Sequence, residues 1–147
     1  MARTTVKIDG LRELDAALSE FKSVAARRIG RRVLKEAGEP IARSARQKAP
    51  KLEWHLHESI DVGTKLTRRQ RGLHPRPPKT AVEMHVGTAN PAGVTQEFGT
   101  SRHGPQPFMR PAWDEQKDMA LTIIVNGLRV EIEKAAERAR RKALKAG

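Results

Sequence analysis

There is no cysteine and no tyrosine in this chain, and only three Phe and two Trp among 147 residues. Without Cys there is neither a disulfide framework nor a thiolate metal site. Without Tyr, and with no aromatics among the arginine runs, the stacking platforms that grip single-stranded nucleic acid are missing. No apolar run approaches membrane-spanning length and no signal peptide opens the chain, so a soluble intracellular protein without a membrane partner is expected. Apolar residues make up 37% and aromatics 3%. The core must then be aliphatic and modest, and association is expected to supply part of the stability. The length suits a single domain over residues 1–147.

What is abundant is positive charge. Lys plus Arg number 29 against 17 Asp plus Glu, a formal net charge of +12. Such an excess favours an anionic partner, either nucleic acid or an acidic protein surface. It is unevenly placed. No acid occurs over residues 62–82, which hold Lys65, Arg68, Arg69, Arg71, Arg76 and Lys79. These six are the candidate contacts to DNA or to an acidic partner. Residues 27–51 are also rich in Arg and Lys, and the last ten residues hold five basic side chains and no acid. The plain alternative for each cluster is a solvated face or a mobile tail.

Hydrophobic spacing organises the rest. Val6 and Ile8 alternate with polar neighbours before Gly10, as in a short strand. Leu11, Leu14, Ala17, Leu18 and Phe21 follow at helical spacing, with Asp9 as a cap. Ala25, Ile29, Val33, Ala37, Ile41 and Ala45 recur every four residues, which predicts a helix over 23–48 that Pro40 should kink or divide near Gly38. Leu52, Trp54 and Leu56 alternate as in a strand, though a short helical turn fits equally. Ile60 and Val62 read as one strand, with Leu66 a further candidate for its face. Val82, Met84 and Val86 read as the returning strand, antiparallel to the first. Between them, "TRRQRGLHPRPPK" has three Pro and no periodicity, and a long, exposed, mobile basic loop is expected over about 64–79. "PAGVTQEF" suggests a short helix or turn. A long helix should begin at Pro111, with Asp114 and Glu115 in its first turn and a basic C-terminal end. The fold class is therefore α+β: a small, mostly antiparallel sheet packed by a kinked long helix and a long C-terminal helix.

No constellation of residues points to catalysis. His55, His57 and Glu58 lack HExxH spacing and a third ligand. His103 beside Arg102 could suit an anion, but a loop-exposed histidine accounts for it. Asp61, Glu83 and Glu97 show no pairing, and Ser101 lacks the GxSxG turn. Gly93, Gly99 and Gly104 form no phosphate loop. No enzyme activity, cofactor or metal site is expected.

The least ordinary stretch is "QEFGTSRHGPQPFMRPAWDE", residues 96–115, which holds three Pro, two of the three Phe and one of the two Trp. Glu97, Phe98, Gly99 and Thr100, followed by Pro105, Gln106, Pro107, Phe108, Met109, Arg110, Pro111 and Ala112, resemble the "E-aromatic-G-T … QPF-x-RPA" pattern of a family of small bacteriophage tail-component proteins. These are neck proteins of long-tailed phages, the HK-ninety-seven gp-ten-like group, also described as head–tail joining or tail-completion proteins. "V-x-I-x-G-L-x-E-L" at residues 6–14 and "ARSARQKAP" at 42–50 extend the likeness. Lys51, Leu52, Glu53 and Trp54 depart from the Thr-Gly-x-Leu usual there.

The resemblance implies a structural virion protein, assembled in the host bacterial cytoplasm. Copies would form a ring, with a hexamer as a candidate count, that joins the capsid connector or stopper to tail-tube or terminator proteins while phage DNA passes through. The alternative is a basic, non-enzymatic DNA-binding protein. On this reading Glu97, Phe98, Gly99, Thr100, Pro107, Phe108, Arg110, Pro111 and Trp113 form an anchor or interface. Rigid X-Pro steps lose little entropy on docking. Phe108 and Trp113 could equally cap the protein's own core. Pro111 should start the C-terminal helix, and Met109 and Arg110 should be extended ahead of it.

Overall fold

The structure, a computed structural model, describes residues 23–51, 54–79 and 81–147. The expected strand at Val6 and Ile8 and the helix over residues 11–21 lie outside those residues, as do Leu52 and Glu53. Helix α1 (Ser23–Lys48) forms where the four-residue spacing predicts it. Val33, Ala37, Ile41 and Ala45 are buried, and Ala42 and Ala49 continue the stripe; Ala25, at its start, is exposed. Pro40 does not divide the helix, which runs through it unbroken. The missing N–H frees one carbonyl, that of Glu36, an exposed residue within reach of water. Burial of Ala37 and Ile41 on either side keeps the chain helical across the gap.

A short helix α2 (Trp54–Glu58) settles the choice left open between helix and strand, and its Leu56 is fully buried. Strand β1 (Ile60–Gly63) then pairs antiparallel with β2 (His85–Thr88), Ile60 opposite Thr88 and Val62 opposite Val86. Ile60 and Val62 face the core, while Leu66 lies beyond the strand. The returning strand is shorter than Val82, Met84 and Val86 suggest. It starts only at His85, because its partner ends at Gly63 and leaves residues 82–84 nothing to pair with. The described sheet has these two strands alone. The class is α+β, mostly helical, with a small antiparallel sheet and a long C-terminal helix.

The basic segment between the strands is not irregular throughout. Residues 68–73 form helix α3 (Arg68–Leu73). Thr67 and Gln70 make a capping box: the Gln70 N–H donates to Thr67 Oγ1 (3.2 Å) and the Thr67 N–H to Gln70 Oε1 (2.8 Å). Gln70 Nε2 also donates to the Thr88 carbonyl (3.0 Å), fastening α3 to β2. Residues 71–79 are exposed, as expected.

Helix α4 (Ala92–Phe98) and the elbow lead into helix α5 (Met109–Ala146). The long helix begins before Pro111, so Asp114 and Glu115 fall beyond the first turn, which holds no acid. Antiparallel packing on α1 positions α5. A Cβ on Gly127 would stand 3.0 Å from Val33 Cγ1, Arg32 pairs with Glu131, and Lys48 Nζ reaches Glu115 at 2.8 Å. The buried Ser44 adds a 3.2 Å hydrogen bond to Glu115. The Lys48 ammonium holds the Glu115 carboxyl below the usual carboxylate range. Ala112 and Ala120 are buried, whereas Trp113, Met119 and Val130 are exposed.

Gly38 brings α1 against the sheet. A Cβ there would lie 2.8 Å from Val62 Cγ1 and 3.1 Å from Val86 Cγ2, both short and β-branched. Gly30 has room, with Val82 no nearer than 3.5 Å. Alanine gains up to about 1 kcal/mol over glycine in a helix interior, but overpacking costs roughly 1–3 kcal/mol. Gly38→Ala should therefore lower unfolding stability while Gly30→Ala raises it by about 0.5–1 kcal/mol. Urea denaturation of the two variants against the parent chain checks the opposite signs.

Candidate functional site

The elbow is built outward from Gly99. This residue ends α4 with its N–H on the Thr95 carbonyl, at φ 76°. An added Cβ would meet the Pro105 nitrogen at 2.8 Å. Both the left-handed backbone and the close approach of the returning chain thus call for glycine. Beyond it, the Thr100 N–H donates to the His103 carbonyl (2.9 Å), and Thr100 Oγ1 accepts from the N–H groups of Arg102 and His103. The small loop closes on itself, and the Gln106 N–H then donates back to the Gln96 carbonyl at 2.7 Å.

Closure delivers the chain to Glu97, which is 5% exposed. Its Oε2 accepts the N–H groups of Phe108 (2.8 Å) and Met109 (2.9 Å), and its Oε1 that of Arg110 (3.1 Å). The next residue, Pro111, has no N–H, and Ala112 donates to the Phe108 carbonyl as the first intrahelical bond. Every donor that a helix start leaves unpaired is therefore either bound by one carboxylate or absent. The negative charge also lies at the positive end of the helix dipole. Arg110 completes the cluster, with Nε on Glu97 Oε1 (2.9 Å) and Nη2 on the Glu97 carbonyl (2.9 Å). Its guanidinium stands 4.9 Å from the centre of the Phe98 ring. Met109 and Arg110 are helical rather than extended, and Pro111 takes the third helical position rather than the first. The carboxylate stabilises the helical start strongly enough to overcome the bias that a following proline places on Arg110.

The three aromatics of the elbow divide. Phe108 is 1% exposed and packs in the core with Leu56, Ile60 and Ala112. Phe98 is 65% and Trp113 55% exposed. Thr100 and Pro107 are exposed on the loop and Pro111 is half-buried. Of the two fates left open by sequence, Phe108 takes the core and Trp113 does not.

The second set of candidates lies elsewhere. Lys65, Arg68, Arg69, Arg71, Arg76 and Lys79 are all exposed on α3 and its flanks. None of the six joins an ion pair among the described residues. The weak catalytic candidates stay apart. His57 Nδ1 donates to the Arg46 carbonyl (2.6 Å), Asp61 Oδ1 accepts the Val62 N–H (2.8 Å), and His103 sits on the loop with its Nδ1 on the Gly104 carbonyl (3.0 Å). Two features went unread in the sequence. The Thr67–Gln70 capping box was legible from its spacing. The union of Glu97 with a helix start eleven residues later was not, because only the fold of the loop brings them together.

Burial opposes ionisation of Glu97, but hydrogen bonds from Met109, Phe108 and Arg110 together outweigh it and hold the carboxyl below its ordinary value. A depressed folded-state pKa stabilises above the unfolded-state value, about 4.3, and that stabilisation is lost as pH falls through the folded-state value. Acid titration of stability should therefore be shallower below pH ~4.3 in Glu97→Gln than in the parent chain. At neutral pH Glu97→Ala should cost about 1–3 kcal/mol for the buried Phe108 N–H alone. Urea unfolding across pH reads both, and equal slopes would show that the carboxylate contributes nothing.

Neither the curated proteins nor the solved structures include a significant match to this chain. The profile of one family, described as the bacteriophage HK97-gp10 tail component, matches residues 12–99. That span covers more than half of the chain, takes in α1, the sheet and α4, and ends at Gly99, so Glu97 and Phe98 lie within it and the Pro-Phe-Met-Arg-Pro run follows it. With this match added to the E-aromatic-Gly-Thr and QPF-x-RPA likeness, the chain belongs to the HK97-gp10-like family of bacteriophage tail components.

Proposed function

We propose that this tail component is a structural protein of the phage neck. Copies associate into a ring between the capsid connector and the tail tube, as a tail-completion or terminator piece, and the genome passes through the lumen. One observation carries the reading: the elbow buries Phe108 yet holds Phe98 and Trp113 outward on a backbone fixed by Glu97, Gly99 and three prolines. Exposed aromatics on a rigid support make a low-entropy docking edge, and large aromatics with arginine are the residues that dominate interface energies. The occupant is a neighbouring copy, which suits a closed ring because each copy offers one such edge.

Charge adds a condition. Protomers of net charge +12 repel one another. Ring closure is then favoured where a polyanion threads the lumen or an acidic neighbour lies above or below. The six unpaired basic residues around α3 and the basic end of α5, exposed from Arg138 onward, supply that contact. A ring of this kind assembles on the growing particle rather than free in solution, and the protein acts in the virion without catalysis. The same unpaired charges favour the alternative, a basic DNA-binding protein. That role demands strong, salt-steep binding of DNA by the isolated protomer in a gel shift.

Phe108→Ala should lower stability by roughly 3–5 kcal/mol, since the ring is buried within its own chain. Phe98→Ala and Trp113→Ala should cost no more than about 1 kcal/mol while abolishing association. Thermal melting measures the first effect. Light scattering after size exclusion, with neck and tail partners added, measures the second. A strict monomer that binds none of those partners would count against the ring.

A further inference from the structure

Where the basic segment returns to the sheet, three side chains of metal-ligand type converge, and this does not depend on the neck assignment. His74 ends α3, its backbone N–H on the Gln70 carbonyl at 3.1 Å. Glu83 and His85 are two residues apart on the extended chain entering β2, so both point to the same side. His74 Nε2 lies 2.8 Å and His85 Nε2 4.0 Å from the same atom, Glu83 Oε2. The two imidazoles meet edge to face, with centroids 5.2 Å apart and planes at 86°. One ligand atom from each of the three residues lies within 4.8 Å of the others.

We propose that His74, Glu83 and His85 bind a divalent transition-metal ion, with Zn2+ the best fit. Imidazole with carboxylate suits zinc, copper or nickel better than calcium or magnesium, which take oxygen ligands. Around a tetrahedral ion with bonds of about 2.0–2.1 Å, ligand atoms stand roughly 3.3 Å apart. The observed separations bracket that spacing, so small side-chain rotations complete the set. A hydrogen bond between His74 and Glu83 alone would not require His85 to turn its Nε2 to the same oxygen. All three side chains are partly exposed, which leaves a path for entry and a fourth position open. Arg31, Arg71 and Arg76 line the same groove as the trio. They lower the affinity for a cation, and they favour an anion over water as the fourth ligand.

The ion would act as a staple. It joins the end of α3 to the start of β2 and closes the segment that contains Pro75, Pro77, Pro78, Arg76 and Lys79. That replaces the single His74–Glu83 contact across the two ends of the basic segment with a three-ligand link.

The test uses the untagged full-length chain in phosphate-free buffer. Calorimetric titration with ZnCl2 should show one equivalent bound, and Co2+ in its place should give the visible absorption of a tetrahedral site. Zinc should also slow tryptic cleavage after Lys79, since the Arg76–Pro77 bond is not a tryptic site. His74→Ala, His85→Ala and Glu83→Gln should each weaken binding by more than the roughly 10–100-fold that loss of an outer-shell partner costs, while His103→Ala leaves it unchanged. Circular dichroism of the variants without metal separates lost binding from lost folding, and Glu83→Gln keeps the acceptor for His74 if the alanine variants unfold. Absence of zinc binding by the parent chain would overturn the proposal. So would binding that all three variants retain, which would place the ion at His55 and His57 or at His103.

Discussion

One buried carboxylate starts the longest helix of this protein. Glu97 gathers the N–H groups of Phe108, Met109 and Arg110, and with Pro111 supplying no donor the helix start is complete. The direction in which α5 leaves the elbow is therefore set by a residue in the preceding helix. Gly99 makes this geometry reachable, since no side chain fits beside the Pro105 nitrogen. Arg110 neutralises the charge from the outer side and shelves Phe98 against itself. Burying an acid is costly unless it is paired and hydrogen-bonded, and here four donors meet it. The same arrangement that fixes the helix also presents the outward aromatics.

The core that this arrangement anchors is built from small residues. Ala37, Ala42, Ala45, Ala49, Ala112 and Ala120 form much of it, with Phe108, Leu56 and Ile60 as its largest fully buried side chains. Small side chains let α1 and α5 approach closely, and Gly38 and Gly127 mark the contacts where even a methyl group would press on a valine. Such a core offers little spare apolar area, so one well-placed phenylalanine matters more than it would in an aromatic-rich protein. The surface carries the opposite emphasis: unpaired positive charge around α3, a basic end to α5 and, among the described residues, exposed aromatics at the elbow. That division suits a component whose neighbours complete it.

Much of the fold was legible in the chain. The four-residue apolar spacing gave the limits of α1, alternation gave Ile60 and Val62 as core residues, and the Thr-x-x-Gln spacing at Thr67 held the cap of α3 although it went unread. These are local patterns, decided by the repeat of helix or strand. The elbow motif likewise pointed to the tail-component family and to Phe108 as an anchor. Other features needed the third dimension. Whether Pro40 breaks a helix depends on what packs beside it. Where β2 begins depends on where β1 ends. Phe98, Phe108 and Trp113 read alike as scarce aromatics, yet only Phe108 faces the sheet. Glu97 reads as a lone acid, and His74, Glu83 and His85 as scattered polar residues, until chain closure brings each to its partners. Local sequence determined the elements because their hydrogen bonds and periodicities are short-range; the tertiary structure decided burial, capping across a loop and the meeting of side chains, because those depend on distances that no spacing along the chain encodes.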